Sequence, residues 1–367
     1  MAKVAIARCA HYDIDGVYNA VKRSVDLLGG IERYVKPGMS VLLKPNLLTA
    51  RGPESAVLTH PEIIRSVGRL ARKAGGIVRV GDSPGGYGKN IDEILEVSGI
   101  KHIAEEEGFE VVRFTAADFV DGIPIARQVR EADIVISLPK LKTHCVTVMT
   151  GAIKNTFGAV TGLYKAGCHS RAPREEDLAK VLVKVHSIVR PALTVVDGIL
   201  AMEGDGPSAG RPKAMNAVIA GEDAVAIDAC IAMMVGLKPL DLAVTRAARD
   251  AGLGEADLSK IEILGDSLEN FISRDFKLSQ TMPLNAIPRP ILRWILGFVR
   301  FIPCIDESLC VRCGLCKKAC PADCITVEEK RCGIDYAKCI RCLCCHEICP
   351  HNAISIKRNI LTKLIWR

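Results

Sequence analysis

Cys310-Val311-Arg312-Cys313-Gly314-Leu315-Cys316-Lys317-Lys318-Ala319-Cys320-Pro321 decides what the last part of this chain is. Read as C-x₂-C-x₂-C-x₃-C-P, it has the spacing that holds [4Fe–4S] clusters in bacterial electron carriers. The stretch recurs as Cys339, Cys342, Cys345, Cys349 and Pro350. Three thiolates two residues apart wrap one face of a cube. The fourth lies too far along to close the same cube and reaches the other cluster. The expected ligand sets are therefore Cys310, Cys313, Cys316 and Cys349 for one cluster, and Cys339, Cys342, Cys345 and Cys320 for the other.

The repeat extends beyond the cysteines. Cys-Val-Arg-Cys at 310 returns as Cys-Ile-Arg-Cys at 339, Ile325 as Ile354, and Val327 as Ile356. A pseudo-twofold ferredoxin module produces such a duplication. Zinc also takes four cysteines, but its knuckles are CxxC pairs set far apart rather than a triplet followed by Cys-Pro. Disulfides fit poorly, because the triplets sit too close and the other eight of the sixteen cysteines are scattered singly. Cluster spacing without an N-terminal export signal suggests a reducing cytoplasm.

With 367 residues, 49% of them hydrophobic, the chain can build two or three cored units. Aromatic residues make up only 4%, too few for a base-stacking surface, so nucleic acid is not an expected partner. The formal charge of +7 counts every cysteine as neutral. Two oxidised clusters of about −2 apiece would bring it to about +3. The basic excess is local, at Lys277, Arg289, Arg293 and Arg300 and again at Lys357, Arg358, Lys363 and Arg367. An acidic redox partner would meet such segments, and so would a membrane surface, which is the less favoured of the two.

Upstream of the module the pattern is α/β. Short apolar runs (Val41–Leu43, Ile77–Val80, Ile134–Leu138, Leu193–Val196, Ala217–Ala220, Ile261–Leu264) alternate with amphipathic stretches such as Pro61–Ala74 and Leu178–Val189. This predicts a mostly parallel sheet covered on both faces, followed by a small α+β ferredoxin-like unit. The expected organisation is an α/β domain over 1–280, a Pro-rich linker over 281–303, the cluster module over 304–357 and a basic-apolar tail over 358–367. The linker carries one short apolar helix, Ile291–Ile302, expected to pack on the α/β domain.

Parallel sheets place ligands beyond the carboxyl ends of their strands. The residues that follow those ends are Lys44 and Asn46; Asp82 and Ser83; Lys140, Lys142 and His144; and, after Asp197-Gly198, Glu203. Lys154 and Asn155 lie between Gly151 and Gly158, where the backbone can approach a ligand closely, although a helix start reads equally well there. The lysines would hold an anionic substrate or cofactor, His144 or His60 would handle protons, and Asp82 and Glu203 would orient a lysine or bind a cation. No phosphate-loop or dinucleotide fingerprint is present.

Leu43-Lys44-Pro45-Asn46, Thr59-His60-Pro61-Glu62, Gly81-Asp82-Ser83-Pro84, Leu138–His144, Gly151–Gly158 and Asp197-Gly198 together resemble the domain-of-unknown-function 362 family, whose members often carry a C-terminal ferredoxin module. The resemblance implies an iron–sulfur protein with an α/β domain, and it supplies no reaction. Three functions stay open: an iron–sulfur oxidoreductase, a non-catalytic electron carrier that docks a redox partner, and an accessory or maturation protein.

Overall fold

The computed structural model describes residues 1–84, 90–162, 164–171, 175–279, 301–329 and 331–358. Ten strands form one sheet, whose main path runs Ile261–Gly265, Ala2–Arg8, Arg211–Gly221, Leu193–Glu203, Ile134–Leu138, Ser40–Pro45, Ile77–Val80, Glu110–Val111. Neighbours are parallel except around Arg211–Gly221, which runs antiparallel to both Ala2–Arg8 and Leu193–Glu203. The expected strand Ala217–Ala220 is thus the end of a longer return strand. Lys140–His144 continues from Ile134–Leu138 after Pro139, pairs with Leu193–Glu203, and folds back onto Val148–Thr150.

Strand periodicity divides the core. Val4 and Ile6 face one apolar layer, while Ala5 and Ala7 face the other. The helices Ile14–Asp26 and Pro61–Lys73 cover one face; Glu175–Val189, Ala224–Met234 and Ala243–Asp250 cover the opposite one. Pro61–Lys73 shows why the sequence folds this way. His60 caps its start, Pro61 fills the first turn, and Gly75 follows its end at φ +87. Between these signals Ile63, Ile64, Val67 and Leu70 turn inward, each worth about 1.5–3 kcal/mol of burial.

The cluster module has the duplicated form that its sequence suggests. Phe301–Ile305 pairs with Ile354–Arg358, and Ile325–Val327 with Cys332–Ile334, with short helices Leu315–Ala319 and Cys344–Ile348 between. Phe301 and Ile302, expected at the end of the linker helix, belong to a strand instead, and Arg358 to its partner. The β-branched and aromatic residues there pair across a sheet edge rather than continuing a helix. The rest of that helix, the 281–300 linker and the tail from 359 lie outside the described residues.

Candidate functional site

Lys44, Lys140 and Lys142 are at most 1% exposed. This corrects the expectation of loop-tip lysines turned toward a ligand. Each lies within a strand, Lys44 in Ser40–Pro45 and the others in Lys140–His144. A buried ammonium requires a partner, and the partners are local. Lys44 Nζ sits 2.7 Å from Asp82 Oδ1, and Lys140 Nζ 2.8 Å from Asp197 Oδ2. Lys142 Nζ donates to Val57 O at 2.7 Å. Burial pulls the ammonium groups of Lys44 and Lys140 below the ordinary lysine range, with the paired carboxylates acting in the opposite direction.

Asp82 therefore compensates a lysine, as the sequence allowed, but the second compensating acid is Asp197 and not Glu203. Glu203 ends its strand by accepting the backbone N–H of Lys277 at 3.0 Å. Asn155 donates from Nδ2 to Lys44 O and Ser137 Oγ, so it braces the strand ends. Ser83 takes part through its backbone, donating to Gly158 O at 3.0 Å and accepting from Lys165 Nζ. Asn46 donates its backbone N–H to Thr59 Oγ1 at 2.8 Å, while its side-chain oxygen, like that of Asn155, accepts no hydrogen bond among the described residues.

Gly158 shows how tightly the first pair is held. A Cβ there would overlap Asp82 Oδ1 and crowd Lys44 Nζ. Gly158→Ala should separate the ions and destabilise the fold by several kcal/mol, about 3–5 on the scale of a broken buried pair. Urea unfolding measures this. A loss below about 1 kcal/mol would mean that the pair can shift aside.

Around Lys140 the network includes a residue that the sequence reading passed over. Tyr12 donates to Asp197 Oδ1 at 2.6 Å and accepts from Lys140 at 2.9 Å and from Leu200 N at 3.1 Å. Its ring stacks on His60 with centroids 3.6 Å apart. Tyr12 follows the first strand, Ala2–Arg8, one of the strand ends not counted among the candidate ligand positions. His60 donates its backbone N–H to Asp197, and its Nδ1 accepts from Glu62 N. Burial pushes its pKa down to about 4.

His60 is consequently a neutral helix cap at physiological pH, a poor fit to the proton-handling role the sequence suggested. Its folded pKa lies below the unfolded value of about 6.5, so the unfolded chain binds more protons between those limits. Stability that is full above about 6.5 is lost as pH falls toward 4. His60→Asn keeps a capping acceptor without a titrating ring. From pH 7 to 5 the wild type should lose about 2 kcal/mol more than this variant in urea titrations. Parallel curves would remove His60 from the acid limb.

His144 meets the cluster module. Its Nε2 lies 3.3 Å from Glu347 Oε1, and Cys145 Sγ lies 4.0 Å from the same oxygen. Arg51 adds a second contact, donating to Asn352 Oδ1 at 2.7 Å. Glu347 is hidden from motif reading, because it falls between Cys345 and Cys349 inside the cysteine run. Lys154 feels Glu347 and Cys145, although burial is the larger influence and lowers its ammonium. His144, Cys145 and Glu347 bring their ligand atoms within 4.8 Å of one another. A metal-bound histidine donates through its other ring nitrogen. Here Nδ1 accepts the backbone N–H groups of Val146 and Thr147. The neutral ring therefore carries its hydrogen on Nε2, toward Glu347, as a hydrogen-bond donor rather than a metal ligand.

In the module, one cavity is lined by Cys310, Cys313, Cys316 and Cys349 together with Cys332. A second is lined by Cys320, Cys339, Cys342 and Cys345 together with Cys324. Each draws three thiols from one run and one from the other. Soft sulfur donors around an otherwise apolar cavity fit an iron–sulfur cluster.

An α/β sheet joined to such a module defines an iron–sulfur protein of the electron-transfer class. A profile for a 4Fe-4S binding domain matches residues 303–326 and 333–355, and one for a domain of unknown function, DUF362, matches residues 41–233. The chain belongs to the DUF362 family. It is similar to thylakoid-associated protein sll1697 of Synechocystis, 33% identical over 257 residues that cover 68% of this chain and 79% of that protein. Among solved structures it matches the lactate racemase apoprotein of Thermoanaerobacterium thermosaccharolyticum at 12% identity and a TM-score of 0.38, covering 61% of this chain and 55% of that one. A Thermotoga maritima protein matches at 13% identity and 0.37, covering 66% and 59%. The chain thus spans a little over half the length of these two structures.

Proposed function

We propose that this protein holds two [4Fe–4S] clusters in the crossed cysteine sets and exchanges single electrons with a small anionic molecule held at the strand ends beside His144. The observation that supports this most is Glu347. Flanked by Cys345 and Cys349, it reaches His144 at the carboxyl end of a sheet strand. The clusters would supply one-electron chemistry; the chain's own groups do the rest. His144 holds a hydrogen on Nε2 between the strand end and the module. Lys154 supplies the cationic contact, since Lys44 and Lys140 are already paired with carboxylates. Those two pairs form a rigid floor.

Anaerobic purification followed by mass spectrometry tests the proposal. Wild-type protein should carry about eight iron per chain and release an anionic compound on denaturation. Lys154→Met should keep the iron and lose the compound. Zinc in place of iron would overturn the cluster assignment, and equal retention of the compound by Lys154→Met would remove Lys154 from the site.

A second reading, electron exchange with a partner protein, is favoured by one feature. Cys313 is exposed, and the neighbouring Leu309 and Val311, with Ile340 in the matching loop, present apolar side chains to solvent. Full iron, no bound compound and rapid exchange with an external protein donor would select it. We place the protein in the cytoplasm, where its thiols stay reduced. Among the described residues no helix is long and apolar enough to cross a membrane. The name of the Synechocystis relative makes sedimentation with anionic liposomes worth measuring.

A further inference from the structure

The second cluster cavity has more thiols than a cube needs. Besides Cys320, Cys339, Cys342 and Cys345 it is lined by Cys324. Cys324 Sγ lies 3.3 Å from Cys320 Sγ, and its backbone N–H donates to the same sulfur at 3.4 Å. Its side chain is buried. The turn between the two cysteines is closed by Asp323 N to Cys320 O, with Asp323 at φ +44, and Cys324 O accepts from Asp335 N at 2.7 Å. The extra thiol is therefore fixed against the one ligand that reaches this cavity from the other run.

The duplication does not account for it. Superposing the repeats in sequence puts Cys324 opposite Ala353, and Cys332 opposite Pro303. Ala353 lines the first cavity and Pro303 the second. Each cavity thus has a fifth cysteine, but at a different corner.

We propose that Cys324 is a reserve ligand for the second cluster, placed to take the iron that Cys320 otherwise holds. In the exchange an Fe–Sγ bond to Cys324 forms in place of the bond to residue 320. The incoming thiol gives up its proton, the departing side chain at 320 takes one up, and no electron moves. The turn 320–324 is short, so the exchange needs rotation of one side chain and a small adjustment of the cube, not a rearrangement of the module.

The inference rests on the two-cluster reading, which wild-type iron tests separately. Full-length wild type, Cys320→Ser, Cys324→Ser and the double variant would be reconstituted anaerobically with ferrous iron and sulfide. Iron and sulfide are then assayed, and the reduced proteins are examined by electron paramagnetic resonance. Cys324→Ser should match wild type. Cys320→Ser should keep wild-type iron with a shifted spectrum, and the double variant should hold half as much. Half the expected iron in wild type would overturn the two-cluster reading itself. Full iron in wild type with equal iron in the single and double variants, whether serine or alanine stands at 320, would overturn the reserve ligand alone.

Discussion

Lys140→Ala is expected to lower the unfolding free energy by about 3–5 kcal/mol, the cost of leaving one member of a buried ion pair alone. Asp197 would keep donors from Tyr12 and from the backbone of His60, yet its charge would lose the ammonium it is paired with. Of a typical stability of about 5–15 kcal/mol, that is a large share. The loss should show as a lowered urea midpoint and poor recovery at 37 °C. It should be recovered in large part by pairing Lys140→Met with Asp197→Asn, because the interaction energy lies in the pair. If Lys140→Ala keeps the wild-type midpoint and loses only ligand binding, Lys140 is a site lysine after all and the buried pair contributes little.

Removing the iron should have the other large effect. At the centre of the module the four buried cysteines Cys324, Cys332, Cys345 and Cys349 sit with Ile325, Ala353 and Ile354, and the aliphatic residues packed around them, Ile305, Ala322, Val327 and Ile334, are only partly buried. Without metal so few aliphatic groups cannot offset the chain entropy of a unit this small. Anaerobic chelation should unfold residues 301–358 while the large sheet stays folded, as binding energy and folding energy are one quantity in such modules. Amide exchange at Ile325–Val327 should accelerate at least 100-fold, roughly 2.7 kcal/mol, with Val41–Leu43 unchanged. Protected strands in the iron-free protein would show that the polypeptide holds the module by itself.

The cysteine runs were legible because their constraint is local: the spacing that marks each run is contained in one short stretch. The alternation of strands and helices was legible for the same reason, as at Pro61–Lys73. The buried lysines were not. Charged side chains are seldom fully buried unless paired, and the partners of Lys44 and Lys140 lie far along the chain, the second of them separated by 57 positions. Only the sheet register brings them together. A lysine at a strand end then looks like a ligand holder when it is part of the floor. Glu347 was obscured differently, since the cysteines on either side already gave its stretch a meaning. Between Gly151 and Gly158 the helix start was the better of the two readings, since Ala152–Asn155 is helical, and what crowds Gly158 is the Lys44–Asp82 pair, not a ligand.

The first strand, Ala2–Arg8, pairs on one side with Arg211–Gly221 and on the other with Ile261–Gly265. On a ribosome adding about 5–20 residues per second, its outer neighbour emerges tens of seconds after it does. Until then the nascent chain carries an unfinished sheet whose exposed edge is a template for wrong pairing. The cysteine runs leave the tunnel later still. The platform that receives Glu347 and Asn352 can then already be complete when their thiol-bearing neighbours reach it.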